Sequence, residues 1–218
     1  VSTDVLRLEI DTEGGDVRVL DLPGYPESKD HPDQAVRIFS DEAGQMFVAQ
    51  SGFLGNGGQN PTHHSAWRAE GTSYKLEPGQ DTLRVPLTWS NDQGVTITKT
   101  FVFKRGSYDI QLEQTVANHG QSDWAGRQYV QLQRNDPGDK AKDQFVRTYT
   151  GGVLYTPEDK YKKISFKDMA DENLDKKSKD GWIAMIQHYF LASWIPQSGE
   201  EHSFYTNKVG DNHFAIGA

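Results

Sequence analysis

Seven histidines and no cysteine restrict the chemistry open to this chain. Disulfides, thiolate metal sites and cysteine nucleophiles are excluded, so acid–base or metal work would fall to imidazole and carboxylate. His63 and His64 are adjacent, and neighbours on an extended chain point to opposite faces, which is poor geometry for one shared metal. No His-x-x-x-His or His-Glu-x-x-His spacing occurs, and the pair reads as surface-loop histidines. His188 lies inside an apolar run, where an imidazole bonded to a backbone carbonyl is the simpler reading than a catalytic base. No Gly-x-Ser-x-Gly elbow is present, and Gly55-Asn56-Gly57-Gly58 neither follows a clear strand nor opens a helix. The carboxylates are scattered, and no catalytic pair stands out among them. Trp67, Trp89, Trp124, Trp182 and Trp194 could include a sugar-stacking platform, although such aromatics usually fill a core. From residue types alone, no catalytic residue, cofactor site or metal ligand set is identified.

The elements that would position any site are strands. Gly181 to Pro196 is the longest apolar run, too short and too polar at Gln187-His188 for a membrane helix. Its glycine and proline bounds favour two strands bent near those residues, with Trp182 and Trp194 largely buried. Leu6, Leu8 and Ile10 alternate with polar residues, and Glu13-Gly14-Gly15-Asp16 turns the chain into a hairpin. Val36 to Phe39 and Gln45 to Gln50 read as short strands, and Ser51 to Ser65 as a surface loop.

The clearest alternation follows. Leu83, Val85, Leu87 and Trp89 form one row, and Ile97, Lys99, Phe101 and Phe103 another. Tyr108 to Val116 and Gln128 to Arg134 continue the meander, the antiparallel signature of a sandwich. Phe145, Arg147 and Tyr149 read as a strand ended by Gly151-Gly152. Thr156-Pro157-Glu158-Asp159 carries a threonine cap, a proline and acids in the first turn, which predicts one short helix over Pro157–Lys163. Phe204 to Lys208 and His213 to Ile216 are closing strands. The fold class is therefore all-β, a large antiparallel β-sandwich with one short helix, expected as a single domain over 1–218.

Twenty-three Lys plus Arg against 31 Asp plus Glu leave a net charge of −8. Such a surface repels nucleic acid and anionic lipid headgroups. Val1 is not an initiator methionine, so the chain is expected to be a processed protein or an excised piece.

Several dispersed stretches, in order, resemble the large periplasmic domain of the YidC membrane-protein insertases. They are Thr3-Asp4-Val5-Leu6, Gly14-Gly15-Asp16-Val17, Leu22-Pro23, Tyr25-Pro26, Thr98 to Gly106, Thr156-Pro157-Glu158, Lys160-Tyr161 and Gly181 to Pro196. The likeness spans nearly the whole chain and weakens at Gln50 to Gly71 and Asn135 to Asp143. It implies a β-supersandwich similar to galactose mutarotases, held on the periplasmic side of the bacterial inner membrane as part of a membrane-embedded protein. It also implies partners: accessory subunits of the Sec translocon and nascent membrane proteins. Two readings stay open. One is a non-catalytic domain making protein–protein contacts; the other is a carbohydrate-binding or aldose-epimerase-like domain, for which fold alone is no warrant.

A protein partner would dock on a sheet edge with free backbone groups. The region Gln128 to Tyr155 is the candidate. Gln128, Gln131, Gln133, Arg134 and Arg147 give it polar faces, and Tyr149 and Tyr155 add aromatics of the kind enriched at interfaces.

Overall fold

The computed structural model describes residues 1–55, 60–138, 149–187 and 189–218. Its chain divides into two compact units, one of Val1–Phe39 with Gln50–Gln128, the other of Ser40–Ala49 with Tyr129–Ala218. Eleven strand pairings within the sheets are antiparallel, and the fold is an all-β sandwich with one short helix among the described residues.

In the first unit, β1 (Arg7–Asp11), β2 (Asp16–Pro26) and β3 (Ala35–Phe39) share a sheet with the later part of β4 (Phe47–Leu54). A second sheet runs β5 (Arg68–Ala69), β6 (Thr82–Ser90), β7 (Val95–Lys104), β8 (Ile110–Asn118). Its register places Leu83 opposite Phe103, Val85 opposite Phe101, Leu87 opposite Lys99 and Trp89 opposite Ile97. Cross-strand partners share a face, so the two alternating rows of the sequence are one inward layer. Val85, Leu87, Ile97, Phe101 and Phe103 are buried on it, and Lys99 is buried with them at 0% exposure. The expected loop from Ser51 to Ser65 begins later than its composition suggests, because β4 carries Ser51, Gly52 and Phe53 into the interior.

The second unit holds the start of β4 with β9 (Arg127–Asn135), β16 (His213–Gly217), β15 (His202–Gly210) and β12 (Asp175–Ser178) in one sheet. Its other sheet runs β11 (Lys160–Ile164), β10 (Gly151–Thr156), β13 (Trp182–Gln187), β14 (Phe190–Trp194). Leu154, Ile183, Met185, Phe204 and Ile216 are fully buried here. The apolar run 181–196 is the hairpin β13–β14, as its punctuation suggested; His188 lies outside the described residues. Trp182 and Trp194 are half-buried rather than core, because they sit at the ends of their strands.

The helix expected over Pro157–Lys163 is absent. Thr156 Oγ1 accepts from the Asp159 amide at 2.9 Å and donates to the Asp159 carboxylate at 3.0 Å. These bonds close a hairpin turn instead of a helix cap, and Lys160 leaves it at φ 56°, so Tyr161, Lys162 and Lys163 return along β10 as β11. The same polar residues favour both structures. The helix forms later, as α1 (Phe166–Asp171), where Ser165 and Asp168 make a reciprocal capping box over buried Phe166 and Met169. Gly151-Gly152, expected to end a strand, begins β10.

Candidate functional site

Two groups of side chains invite a functional reading, one in each unit. In the first unit, Gly14 and Gly15 turn β1 into β2 with φ of 85° and 61°, and their carbonyls accept hydrogen bonds from the Lys99 ammonium at 2.8 and 3.2 Å. The Ser51 carbonyl accepts a third at 3.2 Å, and the Trp67 ring lies 4.5 Å from Nζ. Asp16, 0% exposed, accepts from Gln50 Nε2 at 3.0 Å, with Arg18 at 3.8 Å. Burial pushes the Asp16 carboxyl up to about 6, against the pull of Gln50 and Lys99. Burial also brings the Lys99 ammonium down to about 8, with Asp16 opposing. His63 is held down to about 4 by burial and then by its neighbour His64.

Here is the acid–base set that the sequence did not reveal. The signal was Lys99, a lysine in the inward row between Ile97 and Phe101. Both charged ends are sealed from solvent, so no substrate atom reaches them without the strands parting. Among the described residues, no group of three or more His, Asp or Glu is placed to hold a metal ion.

In the second unit, the residues expected to form a docking edge separate. β9 lies between β4 and β16, and β10 between β11 and β13, so neither of these strands is an edge, and the edge argument is corrected for both of them. Gln131 is buried and accepts from the Tyr205 hydroxyl at 3.0 Å. Arg134 packs its guanidinium 4.8 Å over Phe47, and burial lowers its pKa to about 10. Gln133 is half-buried and Gln128 exposed. Arg147 lies outside the described residues.

Tyr155 lies on the sheet β11-β10-β13-β14, and Tyr149, just before β10, reaches it through Lys163. Tyr155 stands opposite both Tyr161 and Trp182. Its ring stacks on Trp182 with centroids 5.8 Å apart and planes at 12°, and Tyr161 meets Trp182 edge-on at 6.3 Å. One step along, Val153 stands opposite Lys163 and Ala184. The Lys163 ammonium lies 4.7 Å over the Tyr149 ring, whose hydroxyl donates to the Gly152 carbonyl at 2.6 Å. Burial pushes the Tyr149 phenol up to about 12. Tyr161, at the outer end of this row, is 52% exposed.

Aromatic rings held rigid by stacking, with a polar hydroxyl or ammonium at their rim, suit recognition of another protein. The sequence missed Tyr161, Trp182 and Lys163 as members, because only the β10 register joins them to Tyr155.

Comparison with known proteins fits this architecture. The family model described as the YidC periplasmic domain matches residues 1–218. A protein of Methylococcus capsulatus named membrane protein insertase YidC is 59% identical over 219 residues, covering 100% of this chain and 40% of its own length. Proteins of the same name from Thioalkalivibrio sulfidiphilus and Methylobacillus flagellatus are 43% and 40% identical, over 96% and 100% of the chain and 38% and 39% of their own lengths. The chain thus spans about two-fifths of the curated relatives that it matches. A match over every residue, with the β-sandwich that those residues build, makes this chain a member of the YidC periplasmic domain family.

Proposed function

We propose that this chain is the non-catalytic periplasmic part of a membrane-protein insertase, and that it aids insertion by docking protein partners of the Sec translocon. The name shared by the relatives supports the first half, and the remaining three-fifths of such proteins would carry the insertion activity. The observation that supports docking is the row Tyr161, Tyr155 and Trp182, stacked, partly open and standing on a rigid sheet. Nascent membrane proteins are the other partners this reading admits. It places the chain on the periplasmic side of the inner membrane.

The carbohydrate reading finds less support. Epimerisation needs an acid and a base open to opposite faces of a sugar carbon, whereas Asp16 and Lys99 are both 0% exposed. An aldose anomerisation assay is expected to show no rate above buffer.

The docking test is site-specific photo-cross-linking in membranes from the full-length insertase. A probe replacing Tyr161 is expected to label a Sec accessory subunit, and one replacing Gln128 to stay silent. The reverse pattern would move the docking surface to β9.

A further inference from the structure

Resting on that reading of the outer face, we infer that β11 is the acceptor for an extended, acidic segment of the partner, which adds to the sheet as a further strand. Among the described residues β11 is paired on one side only, with β10. Roughly half of an edge strand's backbone N–H and C=O groups point away from its neighbour and remain available for a ladder. Lys160, Tyr161, Lys162 and Lys163 are all exposed, so nothing described here covers that edge.

Among the described residues the charge is local and unpaired with carboxylates, Lys163 lying over the Tyr149 ring. Nearby acids are engaged elsewhere: Glu158 and Asp159 by Lys176 at 2.7 and 3.0 Å, Asp171 by Lys167 at 2.8 Å, and Asp168 by the cap of α1. Three ammonium groups therefore stand within four residues of an edge strand, on a chain whose net charge is −8. Lysines on an edge are a known defence against edge-to-edge pairing. That defence is selective. It repels a second copy of β11, which brings the same lysines, and it attracts a strand carrying carboxylates at alternate positions. Alternation also matches the face: Lys160 and Lys162 point to one side and Tyr161 and Lys163 to the other. A segment alternating acids with apolar residues would set its apolar side chains beside Tyr161, next to the Tyr155–Trp182 stack.

The experiment uses the 218-residue chain and a short soluble peptide alternating glutamate and valine, labelled for fluorescence anisotropy. Binding is expected, weakening as salt is raised. It should fall by about tenfold or more in the Lys160→Glu, Lys162→Glu, Lys163→Glu triple variant. The same peptide N-methylated on alternate residues keeps its charge but loses the ladder, and it too should bind about tenfold more weakly to the unaltered chain. This second arm needs no variant to fold. Binding that survives N-methylation or charge reversal overturns strand addition. Adsorption to anionic vesicles in place of the peptide, or self-association of the chain through this edge, overturns it as well. Should the Tyr161 probe label a Sec subunit while the charge reversal leaves that labelling intact, the docking face stands and the acidic strand falls.

Discussion

The two units treat charge in opposite ways. In the first, a lysine and an aspartate are taken fully out of water, and the fold supplies three carbonyls, an amide and an indole to hold them. In the second, the lysines of β11 stay at the surface, and an aromatic row beside them is left half-covered. A buried charge is held by geometry and fails expensively when one partner goes. An exposed charge contributes little to folding and acts on whatever approaches. On the proposed reading, one set of residues serves stability and the other recognition, and each role can be broken separately.

The largest effect is expected inside. Lys99→Met leaves three buried carbonyls without their donor and the Asp16 carboxylate with Arg18, at 3.8 Å, as its nearest cation; breaking up such a buried charge cluster typically costs about 3–5 kcal/mol. Urea unfolding would read it, and a loss below about 1 kcal/mol would dissolve the contrast. The double variant Asp16→Asn, Lys99→Met should lose less than Lys99→Met alone, since the fully buried carboxylate goes with the ammonium and the remaining cation, Arg18, is partly exposed.

Trp182→Ala comes next, at about 1–2 kcal/mol, because a half-buried ring loses a stacking partner and part of its covered area. A cost near that of Lys99→Met would make Trp182 a core residue after all.

Smaller still is the pH dependence of the first unit, because two groups act against each other there. The Asp16 carboxyl is raised to about 6 from 3.8, so its contribution is present below the unfolded value and lost as pH rises through about 6. The His63 imidazole is lowered to about 4 from 6.5, so its contribution is present above the unfolded value and lost as pH falls through about 4. Between these limits the slopes oppose. Relative to the unaltered chain, Asp16→Asn should lose stability as pH falls from about 6.5 to 4, and His63→Gln should gain it. Denaturant midpoints across that range would show both, and slopes of the same sign would reject the pairing.

The smallest effect on folding belongs to Lys162→Met, within about 0.5 kcal/mol as for an ordinary surface change. Loss of labelling from a Tyr161 probe without loss of stability would sharpen the division between the two units.

How much of this was legible beforehand follows from what sequence patterns encode. The β6–β7 meander could be read because Leu83, Val85 and Leu87 face Phe103, Phe101 and Lys99 in strict alternation, and period two survives without knowledge of partners. The hairpin β13–β14 was legible from Gly181 and Pro196. The helix was misplaced because Thr156-Pro157-Glu158-Asp159 has a cap's composition, while the capping box is carried by Ser165-Phe166-Lys167-Asp168. Tyr149 and Tyr155 could be picked out as aromatics of the kind found at interfaces, but the side chains that they pack against could not. Trp182 is distant in sequence, and only the antiparallel register of β10 brings it to Tyr155. The Asp16–Lys99 group was hidden for the same reason: Gly14, Ser51 and Lys99 meet through long-range pairing, which no local pattern records.

One division described above bears on events in time rather than in space. Ser40–Ala49 belongs to the second unit although the rest of that unit begins only at Tyr129. A chain emerging from its N-terminus therefore releases these ten residues early, and through all of Gln50–Gln128 they wait for the rest of their unit. Phe47 and Val48, buried in the finished fold, are apolar strand residues left waiting, the kind of surface that aggregates or engages a chaperone. The first unit meets no such delay, because every residue it needs has appeared by Gln128. Maturation is thus ordered by the path of the chain, and the unit carrying the proposed docking face is the one completed last.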